Sequence, residues 1–287
     1  MIKQISLLAG TVALSLGLMP AAHASTFHNG WHYSIDAQGD GSGGNVYDIQ
    51  GLAFKETADR IFFAVSANLP LAGNASGGAA DGNIGWGDLM LNFTGDSYAA
   101  AEGDLLGIRF ADTNDSGVSQ LGVYGNVTTS SVTQDNQGYS TLNKYYETGG
   151  GKFDVADTMG DLTDKSDAYE YFGGQPDASN VAINNVIAGG TFLGGIDLLS
   201  DQATASAGLD FGNFNATGDE LIAFSFDRSL IPTGSFIASL FLECGNDGVA
   251  LHGETADVPE PSAVGGLVLL GMVVGGRQLR KRRTALA

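Results

Sequence analysis

The sequence predicts an all-β protein: a single-domain β-sandwich of jelly-roll-like type. Three observations carry that expectation. Short apolar runs alternate with period two, Asp/Asn/Gly turns separate them about every ten residues, and no internal repeat or Pro/Ser-rich linker divides the chain. Glycine supplies 43 of 287 residues, about 15% against a usual ~7%, which suits a loop-rich β protein. Hydrophobic residues make up 43%, too many for a disordered chain.

The elements follow in order. In "FHNGWHYSID" the chain reads as a loop entering a strand. "VYDIQGLAFK" and "RIFFAVSANLP" form a hairpin turned through "KETADR", with Ala58-Asp59 at its tip. In its second arm Ile61, Phe63 and Val65 share one face, and Phe62, Ala64 and Ser66 the other. "GDLMLNF" places Leu89, Leu91 and Phe93 on one side, and "LLGIRFA" and "VSQLGVYGNVTTSSVT" are further strands. Asn143 to Asp201 is ambiguous, with "DKSDAYEYFGG" suited to a short helix. "DELIAFSFDRSLIPTGSFIASLFLECG" reads as a second hairpin, its two apolar arms joined through Pro232-Thr233-Gly234.

Both ends carry address signals. Lys3, an apolar run from Ile5 to Met19, Pro20, and small residues at Ala22 and Ala24 have the order of a secretory signal peptide (residues 1–24) cleaved after Ala24. At the other end stand Pro259-Glu260-Pro261, an uncharged stretch from Ser262 to Gly276, and then Arg277, Arg280, Lys281, Arg282 and Arg283. As a helix that stretch reaches roughly 22 Å, short of the ~30 Å hydrocarbon core and suited to a transient span. The basic residues stop it on the cytoplasmic side, so the body lies outside. The prolines keep the motif extended and open to a processing enzyme.

These three C-terminal parts resemble a PEP-CTERM sorting signal, the tag of exosortase substrates, over residues 258–287. Several stretches of the body, "DGNIGWGDLMLNF", "GIRFADTNDSGVSQLGVYGNV", "GLDFGNF" and "FSFDRSLIPTGSFIASLFLECGNDGVAL", resemble XDD-type exosortase-dependent surface proteins. The resemblance implies export by Sec-type machinery and transient membrane insertion of the C-terminal helix. It further implies processing by an exosortase-like enzyme, and residence at the cell surface or in the extracellular matrix. It implies no activity.

The body between the signals, residues 25–257, is the expected mature domain. It carries seven basic and 31 acidic residues, a formal charge of −24. Nucleic acid is excluded as a partner, because such binding needs a basic face. Cys244 is the only cysteine, so no intrachain disulfide forms, and it reads as a small buried apolar residue.

The sharpest candidate site is "DTNDSG". Asp112, Asn114 and Ser116 alternate ahead of Gly117, like the first half of an EF-hand loop, with Ca²⁺ as candidate cofactor. Position twelve is Val123 and not a bidentate Glu, so a true EF-hand is excluded, and an Asx-rich turn is the competing reading. Weaker Asp/Gly clusters are "DAQGDGSGG" with Asp36 and Asp40, "DGNIGWGD" with Asp81, Asn83 and Asp88, and "CGNDG" with Asn246 and Asp247. His28, His32 and His252 form no metal motif, and no nucleophile elbow, P-loop or zinc-protease motif occurs. No catalytic residue is assigned.

The expectation is an exported, exosortase-sorted surface or matrix protein with a structural or adhesive role, without catalysis and with Ca²⁺ stabilisation as an option. One alternative is a carbohydrate-binding module of the exopolysaccharide matrix using Trp31, Trp86 and tyrosines to stack on sugars. The other is a secreted polysaccharide hydrolase with paired carboxylates.

Overall fold

The structure is a computed structural model describing residues 26–149, 158–178 and 180–256. Both expected address segments, with Ala22, Ala24, Pro259, Glu260, Pro261 and the five basic residues, lie outside the described residues. Among those residues no helix is long and apolar enough to cross a membrane.

The chain is mostly antiparallel β-sheet. A first meander runs β1 (Thr26–His28), β2 (Trp31–Ile35), β3 (Ile49–Glu56) and β4 (Arg60–Ala67). The Asn29-Gly30 turn between β1 and β2 has φ of 50° and 82°, the left-handed pair that a tight two-residue hairpin needs. A small ribbon, β5 (Asn74–Ala75) with β6 (Asn83–Ile84), follows. A second meander runs β7 (Leu89–Asn92), β8 (Leu105–Arg109), β9 (Gly122–Ser130) and β10 (Val186–Gly194), with α1 (Leu142–Thr148) and α2 (Lys165–Gly173) inserted between β9 and β10. The chain then adds β11 (Asp197–Leu198), α3 (Asp201–Ser206), β12 (Glu220–Asp227), β13 (Gly234–Phe241) and β14 (Gly248–Thr255). Two six-stranded sheets result, ordered β1-β2-β3-β4-β12-β11 and β10-β9-β8-β7-β13-β14.

The β3–β4 hairpin forms as expected, as does the helix in "DKSDAYEYFGG". Asp164 caps that helix by accepting the amides of Ser166 and Asp167. The expected hairpin through Pro232-Thr233-Gly234 does not form. β12 pairs with β4 and β11 in the first sheet, whereas β13 pairs with β14 and β7 in the second. The connection between them crosses the edge of the sandwich, held by buried Arg228, which bonds Glu56, the Ile231 carbonyl and the Ala256 carbonyl. β13 finds its hairpin partner downstream instead, through the turn Leu242–Asp247.

The main core lies between the sheets. Ile61, Phe63 and Val65 meet Leu89, Leu91 and Ile108 there, as their alternation predicts. Phe236 packs edge-on against Phe54 at 5.1 Å, and Phe110 stacks on Phe224 at 5.3 Å, both across the sandwich. The outer faces are covered too. α1 and α2 bring Tyr145, Tyr146, Tyr169 and Phe172 over Met90, Tyr124 and Ile187. The segment after α3 brings Phe211 and Ala216 over Trp31, Tyr33 and Ala64, and the Trp31 indole donates to the Ala207 carbonyl at 3.0 Å. Burial on both faces explains why Leu89–Leu91 of β7 and Leu105–Ile108 of β8 show no polar alternation.

Candidate functional site

At one end of the sandwich the loop between β2 and β3 lies against the turn between β13 and β14. The loop is glycine-rich and carries Asp36, Asp40, Ser42 and Asp48. Backbone and side chain tie it to the turn: the Ser42 amide donates to the Asn246 carbonyl at 3.3 Å, and Asn246 Nδ2 donates to the Ser42 carbonyl at 2.8 Å. The Ile49 amide donates to Asp247 Oδ2 at 2.6 Å.

This docking brings Asp36, Asp40 and Asp247 together, with one carboxylate oxygen from each within 4.8 Å of the others. All three are buried, at 4%, 1% and 0% exposure. Partial hydrogen bonding holds each in place. Asp36 Oδ1 accepts the Gly160 amide at 2.9 Å, Asp40 Oδ2 accepts the Tyr145 hydroxyl at 3.2 Å, and Asp247 Oδ1 accepts the Gly248 amide at 2.7 Å. Among the described residues Asp36 Oδ2 and Asp40 Oδ1 have no hydrogen-bond partner, and neither has the buried Ser42 hydroxyl.

Burial first, and the neighbouring carboxylates second, push Asp36 and Asp247 well above the usual carboxylate range. Burial also pushes Asp40 up, to about 7, against the opposing bond from Tyr145. Tyr145 is itself raised well above 10 by burial and by the three aspartates, so its hydroxyl stays a donor. Asp48 is buried beside them but satisfied, accepting from the Gly39 and Gly41 amides and from Gln50. Among the described residues no lysine or arginine bonds the cluster. Three buried acids of this kind hold protons or share a cation.

The "DTNDSG" residues sit elsewhere, around buried Arg109 at the end of β8. Its guanidinium donates to Asn114 Oδ1 at 2.8 Å, the Ser119 carbonyl at 2.6 Å and the Asp112 carbonyl at 3.0 Å. Asn114 Nδ2 and the Ser116 hydroxyl turn to Asp88, at 2.8 and 2.7 Å. Asp112 is exposed. The three residues therefore do not converge on one centre, and the arrangement is that of the Asx-rich turn, closed by the protein's own cation.

Glu243 completes this second network by accepting the amides of Gly85 and Asp115. Burial pushes Glu243 to about 7 and Asp88 to about 6. The chain matches no protein family model, no curated protein and no solved structure.

Sequence reasoning placed Asp36 and Asp40 in one turn and Asp247 in another, without joining them. Tyr145, Arg109 and Glu243 were missed. Arg109 had a legible signal, being one of few cations in an acidic chain and standing directly before an Asx-rich turn. Tyr145 had none, since its site lies far away in sequence.

Proposed function

We propose that the protein is exported, sorted by an exosortase-like enzyme, and retained at the cell surface or in the exopolysaccharide matrix as a non-catalytic structural or adhesive β-sandwich of jelly-roll-like winding. The observation that carries this reading is the order of the two terminal signals in the sequence, on either side of the β-sandwich that spans the described residues 26–256. The chain's three passages from one sheet to the other, after β4, β10 and β12, support the jelly-roll-like description.

Three features favour a structural role over the alternatives. The clustered carboxylates Asp36, Asp40 and Asp247 are sealed from solvent, whereas a glycosidase pair must flank a substrate. Trp31 and Trp86 are both 0% exposed, so neither offers a face to a sugar ring. Among the described residues, Asp177 is the single carboxylate lining the open groove of about 520 Å³ beside α2.

Intact mass of the mature protein from its native cell, with cell fractionation, tests the reading. The expected species lacks residues 1–24 and the basic tail, and fractionates with the surface or matrix. Recovery of the full-length chain from the cytosol overturns it.

A further inference from the structure

We propose that Asp36, Asp40 and Asp247 bind one Ca²⁺ ion, which locks the β2–β3 loop onto the β13–β14 turn. The inference concerns the folded body alone and stands whether or not the sorting proposal holds.

The geometry carries it. An ion bound to oxygens at 2.3–2.6 Å places opposed ligands about 5 Å apart, and the three carboxylate oxygens lie within 4.8 Å of one another. Each acid already has one oxygen or both oriented by a protein donor, from Gly160, Tyr145, Ile49 or Gly248. The oxygens left without partners, Asp36 Oδ2 and Asp40 Oδ1, are sealed in the interior of the same cluster. A buried carboxylate oxygen with no donor is costly, and two in one cluster, with no side-chain cation bonded to them among the described residues, are relieved either by protons or by a bound cation. An oxygen that accepts one amide keeps a lone pair for a metal, so Asp247 can bridge between Ile49 and the ion.

The donor chemistry selects the ion. Asp36, Asp40 and Asp247 offer carboxylate oxygen alone, without histidine or thiolate in the group, which favours a hard cation. Mg²⁺ retains several waters in rigid octahedral geometry, and a site sealed to 0–4% exposure leaves them little room. Ca²⁺ accepts irregular, largely dehydrated oxygen cages. Since the ligands come from two distant segments, the complete site exists only in the folded chain, and binding is coupled to folding.

The test uses the full chain stripped with EDTA and transferred to metal-free buffer, with Ca²⁺, Mg²⁺ and Tb³⁺ as probes. Titration calorimetry is expected to show one Ca²⁺ per chain. The thermal midpoint is expected to rise by about 5–10 °C at a Ca²⁺ concentration about a hundredfold above Kd, with a smaller rise in Mg²⁺ at equal ionic strength. Asp40→Asn preserves shape while removing a charge. It is expected to weaken Ca²⁺ binding at least ~10-fold and to melt in EDTA no lower than the wild type. A wild-type chain that takes up no Ca²⁺, or an Asp40→Asn chain with an undiminished Ca²⁺ response, overturns the proposal. Should the variant fail to fold, Tb³⁺ bound to the wild type decides. Emission sensitised by neighbouring Tyr145, saturating at one ion per chain and displaced by Ca²⁺, supports the site; its absence overturns it.

Discussion

Arg109 Nε donates to Asn114 Oδ1 at 2.8 Å, filling the inside of the "DTNDSG" loop with a guanidinium. The fork also reaches the carbonyls of Asp112 and Ser119, so one side chain satisfies three turns of backbone and side chain. Replacing Arg109 with Met leaves those acceptors and the Asp88 carboxylate without their cation. The expected loss is about 3–5 kcal/mol, as for a broken buried charge network, measured as a lower urea midpoint. Arg109→Lys recovers less than half, because an ammonium cannot reproduce the planar fork. Full recovery by lysine defeats this account.

Glu243 and Asp88 set a pH dependence. Both have folded pKa values raised by burial, to about 7 and about 6, above the ordinary 4.5 and 3.8. The folded state therefore binds protons more tightly than the unfolded one, and stability rises as pH falls. Each group contributes about 1.4 kcal/mol per pH unit within its own window, from its folded pKa down to its unfolded value. Asp40, raised to about 7, acts in the same direction when no cation is bound. Asp164 and Asp227, lowered by bonds from Ser166 and Ser229 respectively, lose their contributions only below pH 3.8. Urea unfolding in EDTA is expected to show higher stability at pH 5 than at pH 8; the reverse slope rejects the assignment.

Cys244 is 0% exposed, and burial pushes its thiol up to about 12. A buried neutral thiol is a poor nucleophile. A disulfide reagent is expected to leave the native protein unlabelled over hours and to react at once in denaturant. Rapid stoichiometric labelling under native conditions contradicts this burial.

Gly160 has φ of +61°, and its amide holds Asp36. A Cβ there meets Ser34 Oγ at 2.2 Å and the Ala250 carbonyl at 2.7 Å. Gly160→Ala is expected to cost about 2–3 kcal/mol from strain and displaced backbone, and to weaken Ca²⁺ binding by shifting Asp36. A variant with wild-type melting and wild-type affinity contradicts the close approach.

Trp31 and Trp86 lie fully inside, the first under the segment after α3 and the second against Phe110 at 5.9 Å. Their emission is expected to be blue-shifted, shielded from acrylamide, and unchanged by mono- or oligosaccharides. Saccharide-dependent quenching revives the carbohydrate-binding alternative.

The all-β class and the β3–β4 hairpin were legible from period and turn residues, and "DKSDAYEYFGG" as suited to a short helix, because each is decided by neighbours in the chain. The Asn29-Gly30 hairpin is equally local, yet "FHNGWHYSID" reads as a loop entering a strand and the structure pairs β1 with β2 there. The pairing of β12 with β13 was misread for another reason. Both arms have strand patterns and the six-residue connection permits either a hairpin or a crossing; buried Arg228, tied to Glu56, sits in the crossing. Which sheet a strand joins depends on partners from distant segments, and alternation along one strand says nothing about them.

By itself, the sequence determined β2, β3, β4, β7, β8, β9, β12 and β13 as strands, the acidic charge, the buried thiol and the two terminal segments on which the sorting proposal rests. The tertiary structure decided which of several similar Asp-rich turns share a centre. "DTNDSG" has the better spacing, yet Arg109 neutralises it from within. "DAQGDGSGG" and "CGNDG" look ordinary apart, and become a cluster because β3 and β14 lie in facing sheets and bring Asp36, Asp40 and Asp247 to one point. Charge compensation is a property of three-dimensional neighbourhoods, and spacing along the chain does not encode it.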